Sequence, residues 1–468
     1  VNTAGLFVLQ RWVTPGLLDW DGAGITGDRS FKEQCEKYQI CGLLAHHWDT
    51  FYTQEDFLSM HRLGLNSVRI PLGWWFFAED EGVTDYVIPD KKHTDSSHPL
   101  TTILSYANEA GLQVILSLNM GSNKKSGVSE ESKSESHPVH RLHTVGHNLA
   151  KYVSHISKSY GLHNVMLLEL ELGEDEQSED MESALVKAFI GGVRKELSDM
   201  PILLPETVHT TPSDAHIYLD TKIYHGATVP DLASDSEKGD REKMYAHMKI
   251  ACGYQAPLHF TTCTRVPTLV GEFSIAIENC LPYVDADFQD YGQCSNLEGR
   301  AASPWWKRSI RSFADRQVST YEKELGWIFQ TYKLDDTAET PGYSESTVYW
   351  SFRLAAQAGI FDLSQPTDKG CLFHPPADFE WGDGNPPDWW WALQASMSPI
   401  STTGGALPLL MLVTVIATAG LVMGVMLLRK HRMHSFVPVS STGYQSIAHT
   451  TSEKSLPLQT VQSSINGV

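Results

Sequence analysis

Positive charge is in short supply: 36 Lys and Arg face 56 Asp and Glu, leaving the 468-residue chain at −20. Such a surface repels polyanions and no basic cluster offsets it, which argues against nucleic acid as a partner. Acceptors of the Asn-x-Ser/Thr type are absent throughout, so N-linked sugar is not expected. No signal peptide is visible ahead of the apolar segment Gly5–Leu9, and the N-terminus reads as missing or processed. Cysteine is sparse and odd in number: Cys35, Cys41, Cys252, Cys263, Cys280, Cys294 and Cys371. In an oxidising compartment these pair, with at least one left over. What the chain has in plenty is aromatic surface, 13 Trp, 17 Tyr and 17 Phe. That load suits rings stacked on sugar faces and suits a large core equally well.

Charge vanishes altogether from Trp389 to Leu428, and within that stretch Ala406–Leu428 is almost wholly apolar. A bilayer span needs roughly 20 such residues. A buried core helix of this length would show a polar stripe, whereas only Thr414, Thr418 and small residues interrupt the run. Arg429, Lys430, His431 and Arg432 follow at once. Basic flanks stay cytoplasmic, so the expected topology is single-pass type I, with residues 1–378 outside or lumenal. Residues 379–405 read as a Pro/Gly/Trp-rich linker, residues 406–428 as the transmembrane helix, and the Ser/Thr-rich residues 429–468 as a disordered tail.

The N-terminal part alternates short apolar runs with segments of helical periodicity. The runs are Leu6–Leu9, Leu65–Ile70, Leu112–Leu118, Val165–Leu170, Ile202–Leu204, Ile217–Ile223, Thr268–Phe273 and Trp327–Tyr332. Between them Gln54–Leu63, Thr102–Ala110, Thr144–Ser159, Met181–Leu197 and Trp305–Leu325 carry helical spacing. Eight strand–helix repeats predict an α/β fold with a parallel sheet closed into a (β/α)8 TIM barrel, which takes roughly 250 residues or more. An open doubly wound sheet would bring a Gly-rich phosphate loop after the first strand, and Val8–Trp12 has none. The stretches Glu79–His98, Gly121–His140, Ser234–Pro257 and Leu281–Pro304 then read as rim loops. Chemistry in such a barrel belongs at the C-terminal strand ends. Two of these carry acids: Glu272 closes the seventh run, and Leu168-Glu-Leu-Glu-Leu-Gly-Glu174 closes the fourth. A retaining glycosidase needs two carboxylates about 5 Å apart, although strand-end acids can also be plain solvated rim residues.

Longer motifs sharpen this. His47-Trp-Asp-Thr-Phe-Tyr-Thr53, Gly64-Leu-Asn-Ser-Val-Arg-Ile-Pro-Leu-Gly-Trp-Trp-Phe-Phe77, Phe7-Val-Leu-Gln-Arg-Trp-Val-Thr-Pro15 and Val270-Gly-Glu-Phe-Ser-Ile-Ala276 resemble fungal exo-1,3-β-glucanases of glycoside hydrolase family five. Gly326-Trp-Ile-Phe329, Tyr349-Trp-Ser-Phe352 and Cys371-Leu-Phe-His374 continue the resemblance in the family's order. It implies a retaining hydrolase of β-glucan that uses no metal or cofactor. By this resemblance Glu272 is the nucleophile, Arg69 the cation that supports it and Tyr224 its hydrogen-bond donor. The family's acid/base motif Leu-Leu-Asn-Glu-Pro-Leu-Gly meets Leu167-Leu-Glu-Leu-Glu-Leu-Gly173 here. A gapless register puts Leu170 in place of the acid, a slide by one residue puts Glu171 there, and a third register puts Gly173 there. Glu169 and Glu174 are further candidates.

The resemblance also assigns the sugar-binding positions, and most of them differ from the family's residues. The strand-three histidine becomes Asn119, the glutamate of Leu-Glu-Pro becomes Gln10, and the histidine two before the tyrosine becomes Lys222. The pocket tryptophan becomes Gln330 with Tyr332 beyond it, while Trp75 is retained. Two readings follow. One is a membrane-tethered β-glucan hydrolase with Glu272 as nucleophile and Glu171 as acid/base. The other is a barrel that binds glucan or a surface partner without cleaving it, because an alkoxide leaving group needs a proton that a broken acid motif does not supply. The resemblance implies bridges Cys252–Cys371 and Cys280–Cys294. Proximity suggests Cys35–Cys41, with Cys263 left single.

Overall fold

The computed structural model describes residues 1–363 except 19–24, 26, 79–82, 84, 90–94, 122–135, 174–177, 207–215, 226–239, 254–265, 279, 281–302, 324 and 340–345. Seven parallel strands form one sheet in sequential order: β1 (Ser67–Gly73), β2 (Gln113–Asn119), β3 (Val165–Glu171), β4 (Ile202–Pro205), β5 (Ile217–Ile223), β6 (Thr268–Phe273) and β7 (Trp327–Phe329). Around them lie α1 (Asp28–Tyr38), α2 (Gly42–Thr50), α3 (Gln54–Arg62), α4 (Pro99–Glu109), α5 (Ser136–Tyr160), α6 (Glu179–Arg194), α7 (Asp240–Gly253), α8 (Pro304–Tyr321) and α9 (Phe352–Gln357). Each of the last seven sequence runs overlaps a strand. The first does not: Leu6–Leu9 is irregular, its apolar side chains buried in the outer core. The stave it was expected to supply comes from Val1–Thr3 instead. There the Asn2 amide donates to Phe329 and the Thr3 amide to Arg69, while Val1 and Asn2 carbonyls accept from Arg69 and Tyr332. These few residues join β7 to β1 without a regular strand.

Local chemistry sets the helix ends. Thr53 and Asp56 form a reciprocal capping box before α3, and Ser178 and Ser303 cap α6 and α8 with their hydroxyls. Gly64 and Gly111, at φ +89° and +73°, turn the chain out of α3 and α4 into β1 and β2 through a left-handed conformation that a Cβ would oppose. The helix α7 falls inside the stretch expected to be the rim loop Ser234–Pro257. Its core-facing side includes Lys243 and His247 beside Met244 and Ala251. Burial of two polar residues erases the apolar periodicity that would have announced a helix. Cys35 and Cys41 are bridged. Cys252 and Cys280 are each in a disulfide, whereas Cys371, Cys294 and Cys263 lie outside the described residues. So do residues 364–468, including the linker, the expected span and the tail. Among the described residues no helix is long and apolar enough to cross a membrane.

Side chains alternate across each strand, so every second residue enters the barrel. Ile115, Leu167, Leu203, Leu269 and Ile328 form a separate apolar cluster with Tyr218. They come from five strands and make the barrel floor. Outward positions such as Val114, Leu168, Leu170 and Val270 join the larger core beneath the helices. On that outer side α5 and α6 pack unusually close: a Cβ on Gly192 would lie 2.2 Å from the His143 carbonyl oxygen. Gly192→Ala should therefore destabilise the barrel by about 1–3 kcal/mol through overpacking. Gly191→Ala, whose nearest neighbour would be the His143 ring at 3.7 Å, should be neutral or slightly stabilising. Thermal unfolding of the two variants checks the difference.

Candidate active site

Two residues above the apolar floor, the alternation changes character. Ser117, Glu169 and Asp220 follow Ile115, Leu167 and Tyr218 inward, and Arg69 enters from β1. Arg69 is 1% exposed. Its Nη2 contacts Glu169, bonds Ser117 at 3.3 Å and lies 3.9 Å from Asp220. Its Nη1 donates to the Gly271 carbonyl at 3.2 Å and to Glu272 at 2.9 Å. A desolvated guanidinium is tolerable only because acceptors surround its fork. Burial pushes the Glu169 carboxyl well above its usual value, against the pull of Arg69, and pushes Asp220 up to about 6. The Arg69 guanidinium is itself drawn upward, the carboxylates outweighing its own desolvation.

Two residues higher, at the strand ends, lies the mouth: Asn119, Glu171, Lys222 and Glu272. The acid Glu272 owes its aim to an irregularity in β6. Thr221 pairs with Val270 but Lys222 with Glu272, so Gly271 is skipped. A Cβ on Gly271 would strike the Asp220 carboxylate at 1.4 Å, so glycine there makes room for Asp220 while the bulge turns the next residue inward. Three groups hold the Glu272 carboxylate. Asn2 Nδ2 donates at 2.7 Å and Arg69 at 2.9 Å to one oxygen, and the Tyr224 hydroxyl donates at 2.5 Å to the other. That proton is tightly kept, since burial and the adjacent carboxylate push the Tyr224 phenol well up. Asn2 is the participant that sequence reading missed. A small polar residue near the chain start carries no motif, and only barrel closure brings it here.

Burial divides the Leu167–Gly173 segment between the two faces of β3. Leu170 is fully buried in the outer core, and Glu169 and Glu171 face inward. Glu171 reaches the mouth, where Asn119 donates to it at 3.0 Å, Lys222 pairs with it, and Arg69 stands 3.9 Å away. Burial raises its carboxyl, but Lys222 and Arg69 together outweigh this and hold it at about 2. The same Lys222 ammonium lies 3.8 Å from Glu272, so one cation spans both mouth carboxylates. Glu171 and Glu272 in turn raise the lysine, against its desolvation.

The remaining expected sugar contacts scatter. Gln330 touches the Tyr224 hydroxyl, which also bonds Glu272. Gln10 is half-buried in the irregular N-terminal segment, its carbonyl bonded to Val13 and Thr14. Trp75 is buried, stacked on Tyr86 with centroids 4.0 Å apart. Tyr332 is buried against Tyr52. Trp350 and Trp12, not singled out from sequence, form an aromatic edge beside Tyr224, at 5.8 Å from Tyr224 to Trp350 and 5.6 Å from Trp350 to Trp12. Glu174 and Gly121–His140 apart from Gly121 and the helical residues after 135 lie outside the described residues. Among the described residues no group of three or more His, Cys, Asp or Glu is arranged to hold a metal ion.

The electrostatics give a pH signature. The folded Glu171 value of about 2 lies below the ordinary 4.5, so its ionised form stabilises the fold. That contribution is complete above about 4.5 and is lost as pH falls toward 2. Glu171→Gln should remove this part of the acid-unfolding limb, which thermal unfolding followed across pH 2–6 would reveal as a flattened profile.

No family model matches the chain. It is 25% identical over 373 residues to the probable glucan 1,3-beta-glucosidase A of Aspergillus fumigatus, covering 73% of this chain and 83% of the relative. It is 24% identical over 402 residues to the glucan 1,3-beta-glucosidase of Blumeria graminis, covering 79% and 87%, and 24% identical to the sporulation-specific glucan 1,3-beta-glucosidase of Saccharomyces cerevisiae, covering 77% and 84%. Among solved structures, AoRut superposes with a TM-score of 0.55 at 15% identity, covering 78% of this chain and 96% of that one. The rutinosidase from Aspergillus niger does so with 0.54 at 15%, covering 77% and 96%. These two establish the barrel fold. Over most of its length this chain is thus similar in sequence to the fungal glucan 1,3-beta-glucosidases.

Proposed function

We propose that this barrel is a membrane-tethered retaining glycosidase acting on β-glucan or related β-glucosides, with Glu272 as nucleophile and Glu171 as its partner carboxylate. The observation that carries the reading is the cradle around Glu272: three donors from the N-terminal segment, β1 and the end of β5 converge on one buried carboxylate. Such donors fix the position and aim of a carboxylate, and attack on an anomeric carbon requires that aim. Attack by Glu272 forms a bond to C1 while the aglycone oxygen departs with the electron pair of the broken glycosidic bond and takes up a proton from solvent, leaving a covalent glucosyl ester. Water then cleaves the ester, with Glu171 taking the water proton. The names of the sequence relatives support β-glucan as substrate, and the uncharged run 406–428 with the basic residues after it supports a type I tether.

A second reading, a barrel that binds glucan without cleaving it, is favoured by one observation: Lys222 sits between the two carboxylates and pairs with the acid. Mechanism-based trapping separates the two. An activated deoxyfluoro-β-glucoside should label Glu272 covalently, seen as a glucosyl mass shift on the peptide carrying it, and Glu272→Gln should abolish labelling. Glu171→Ala should accumulate glucosyl-enzyme with an aryl β-glucoside and regain turnover with azide. Retention of laminarin by the full chain with no labelling at any pH would establish the binding reading instead.

A further inference from the structure

The mouth has a second cation that hydrolysis by paired carboxylates does not call for. Lys222 Nζ contacts Glu171 directly and lies 3.8 Å from the nearer oxygen of Glu272, with 38% of its side chain exposed toward the opening. We propose, building on the hydrolytic reading, that Lys222 is the specificity-determining residue of this site: by occupying Glu171 it bars proton donation to the departing oxygen. It thereby slows the cleavage of β-glucan linkages and favours β-glucosides whose leaving group is itself acidic, a phenol, an enol or a carboxylic acid.

The argument rests on who could protonate an aglycone. Glu171 is the partner carboxylate at the strand ends, and its charged neighbours among the described residues come from four strands. Lys222 and Asp220 face it from β5, Arg69 from β1, Glu169 from its own strand, and Glu272 stands across Lys222 on β6, while Asn119 on β2 donates to it. Two cations and an amide favour its ionised form, and an ionised carboxylate has no proton to give. The alternatives among the described residues are committed elsewhere. Tyr224 donates to Glu272, whereas Glu169 and Asp220 lie one layer below against Arg69. Lys222 carries protons, but the flanking carboxylates stabilise its ammonium form and make it a weak acid.

The chemistry balances without a donor when the leaving group is acidic. The Glu272 oxygen forms a bond to C1, and the C1–O bond of the aglycone breaks with its electron pair, releasing a phenolate, enolate or carboxylate. Water then attacks C1, Glu171 accepts its proton, and the C1–O bond to Glu272 breaks to restore the carboxylate. The proton leaves Glu171 for solvent or the released anion. Only the first step of a sugar–sugar linkage, which must expel an alkoxide, is obstructed.

The test is a leaving-group series on the full chain in detergent-solubilised membranes, from dinitrophenyl through phenyl to a 1,3-linked glucosyl aglycone. The wild-type protein should lose kcat/KM by about 100-fold or more along the series, the range that general acid catalysis ordinarily supplies. Lys222→Met should flatten that dependence. It should also give sugar–sugar substrates a new alkaline limb, as Glu171 acquires a carboxyl that must stay protonated in the first step. Lys222→Arg, which keeps the cation, should retain the steep series and lack the limb, so that a merely structural lesion is told apart from release of the acid. A shallow wild-type series, or a Lys222→Met series as steep as wild type with no alkaline limb, overturns the proposal. Failure of wild type and both variants to release dinitrophenolate, with no labelling of Glu272, overturns the hydrolytic reading beneath it.

Discussion

Arg69 is the constraint around which the interior is organised. One guanidinium, 1% exposed, answers to four carboxylates on three other strands. Its planar fork permits this, Nη2 serving the lower layer and Nη1 reaching up to Glu272. Replacing such a network by apolar side chains is often neutral or favourable to stability, so the charged layer is not what holds the barrel together. The apolar floor and the outer core do that. The Arg69 layer is an anchoring plane: it gives Glu272 a fixed counter-charge from below, while Tyr224 and Asn2 fix it from the sides.

This separation between scaffold and mouth explains what kind of divergence the chain has undergone. The floor from Ile115 to Ile328 and the outward leucines leave the barrel intact whichever polar residues stand at the strand ends. Asn119, Lys222 and Gln330, all departures from the family's residues, have re-formed as a connected set: Asn119 and Lys222 on Glu171, Gln330 on Tyr224. These substituted residues thus contact one another's partners around Glu171 and Tyr224 rather than standing apart.

Much of the barrel was legible in the sequence because parallel strands buried on both faces read as continuous apolar runs. Seven of those runs overlap strands, and the periodic segments from Gln54 to Leu325 contain helices. Leu6–Leu9 misled for the same reason: apolarity reports burial, and these residues are buried without being extended. The helix α7 escaped because Lys243 and His247 face inward. At the site, Arg69, Tyr224 and Glu272 lay in long motifs and could be named. Which faces Leu-Glu-Leu-Glu-Leu presents could not, since it alternates equally well in either phase, and only the packing of Leu170 in the outer core turns Glu169 and Glu171 inward. Asn2 and the Lys222 bridge depend on strands far apart in sequence, which no local pattern encodes.

Barrel closure by Val1–Thr3 carries a consequence for how the molecule is made. Asn2 reaches Glu272 across 270 positions of sequence, and its backbone joins β1 to β7 at Phe329. On a chain synthesised from its N-terminus, the first stave emerges early and the strand on its far side emerges last. Until then one edge of the growing sheet stays unpaired and the acid cradle stays open. Bringing such distant segments together is slow because loop closure must precede the contacts that reward it. Assembly of the Glu272 surroundings is thus coupled to the final closing of the sheet, and a chain arrested short of β7 would hold every other strand yet lack the Phe329 carbonyl that receives the Asn2 amide.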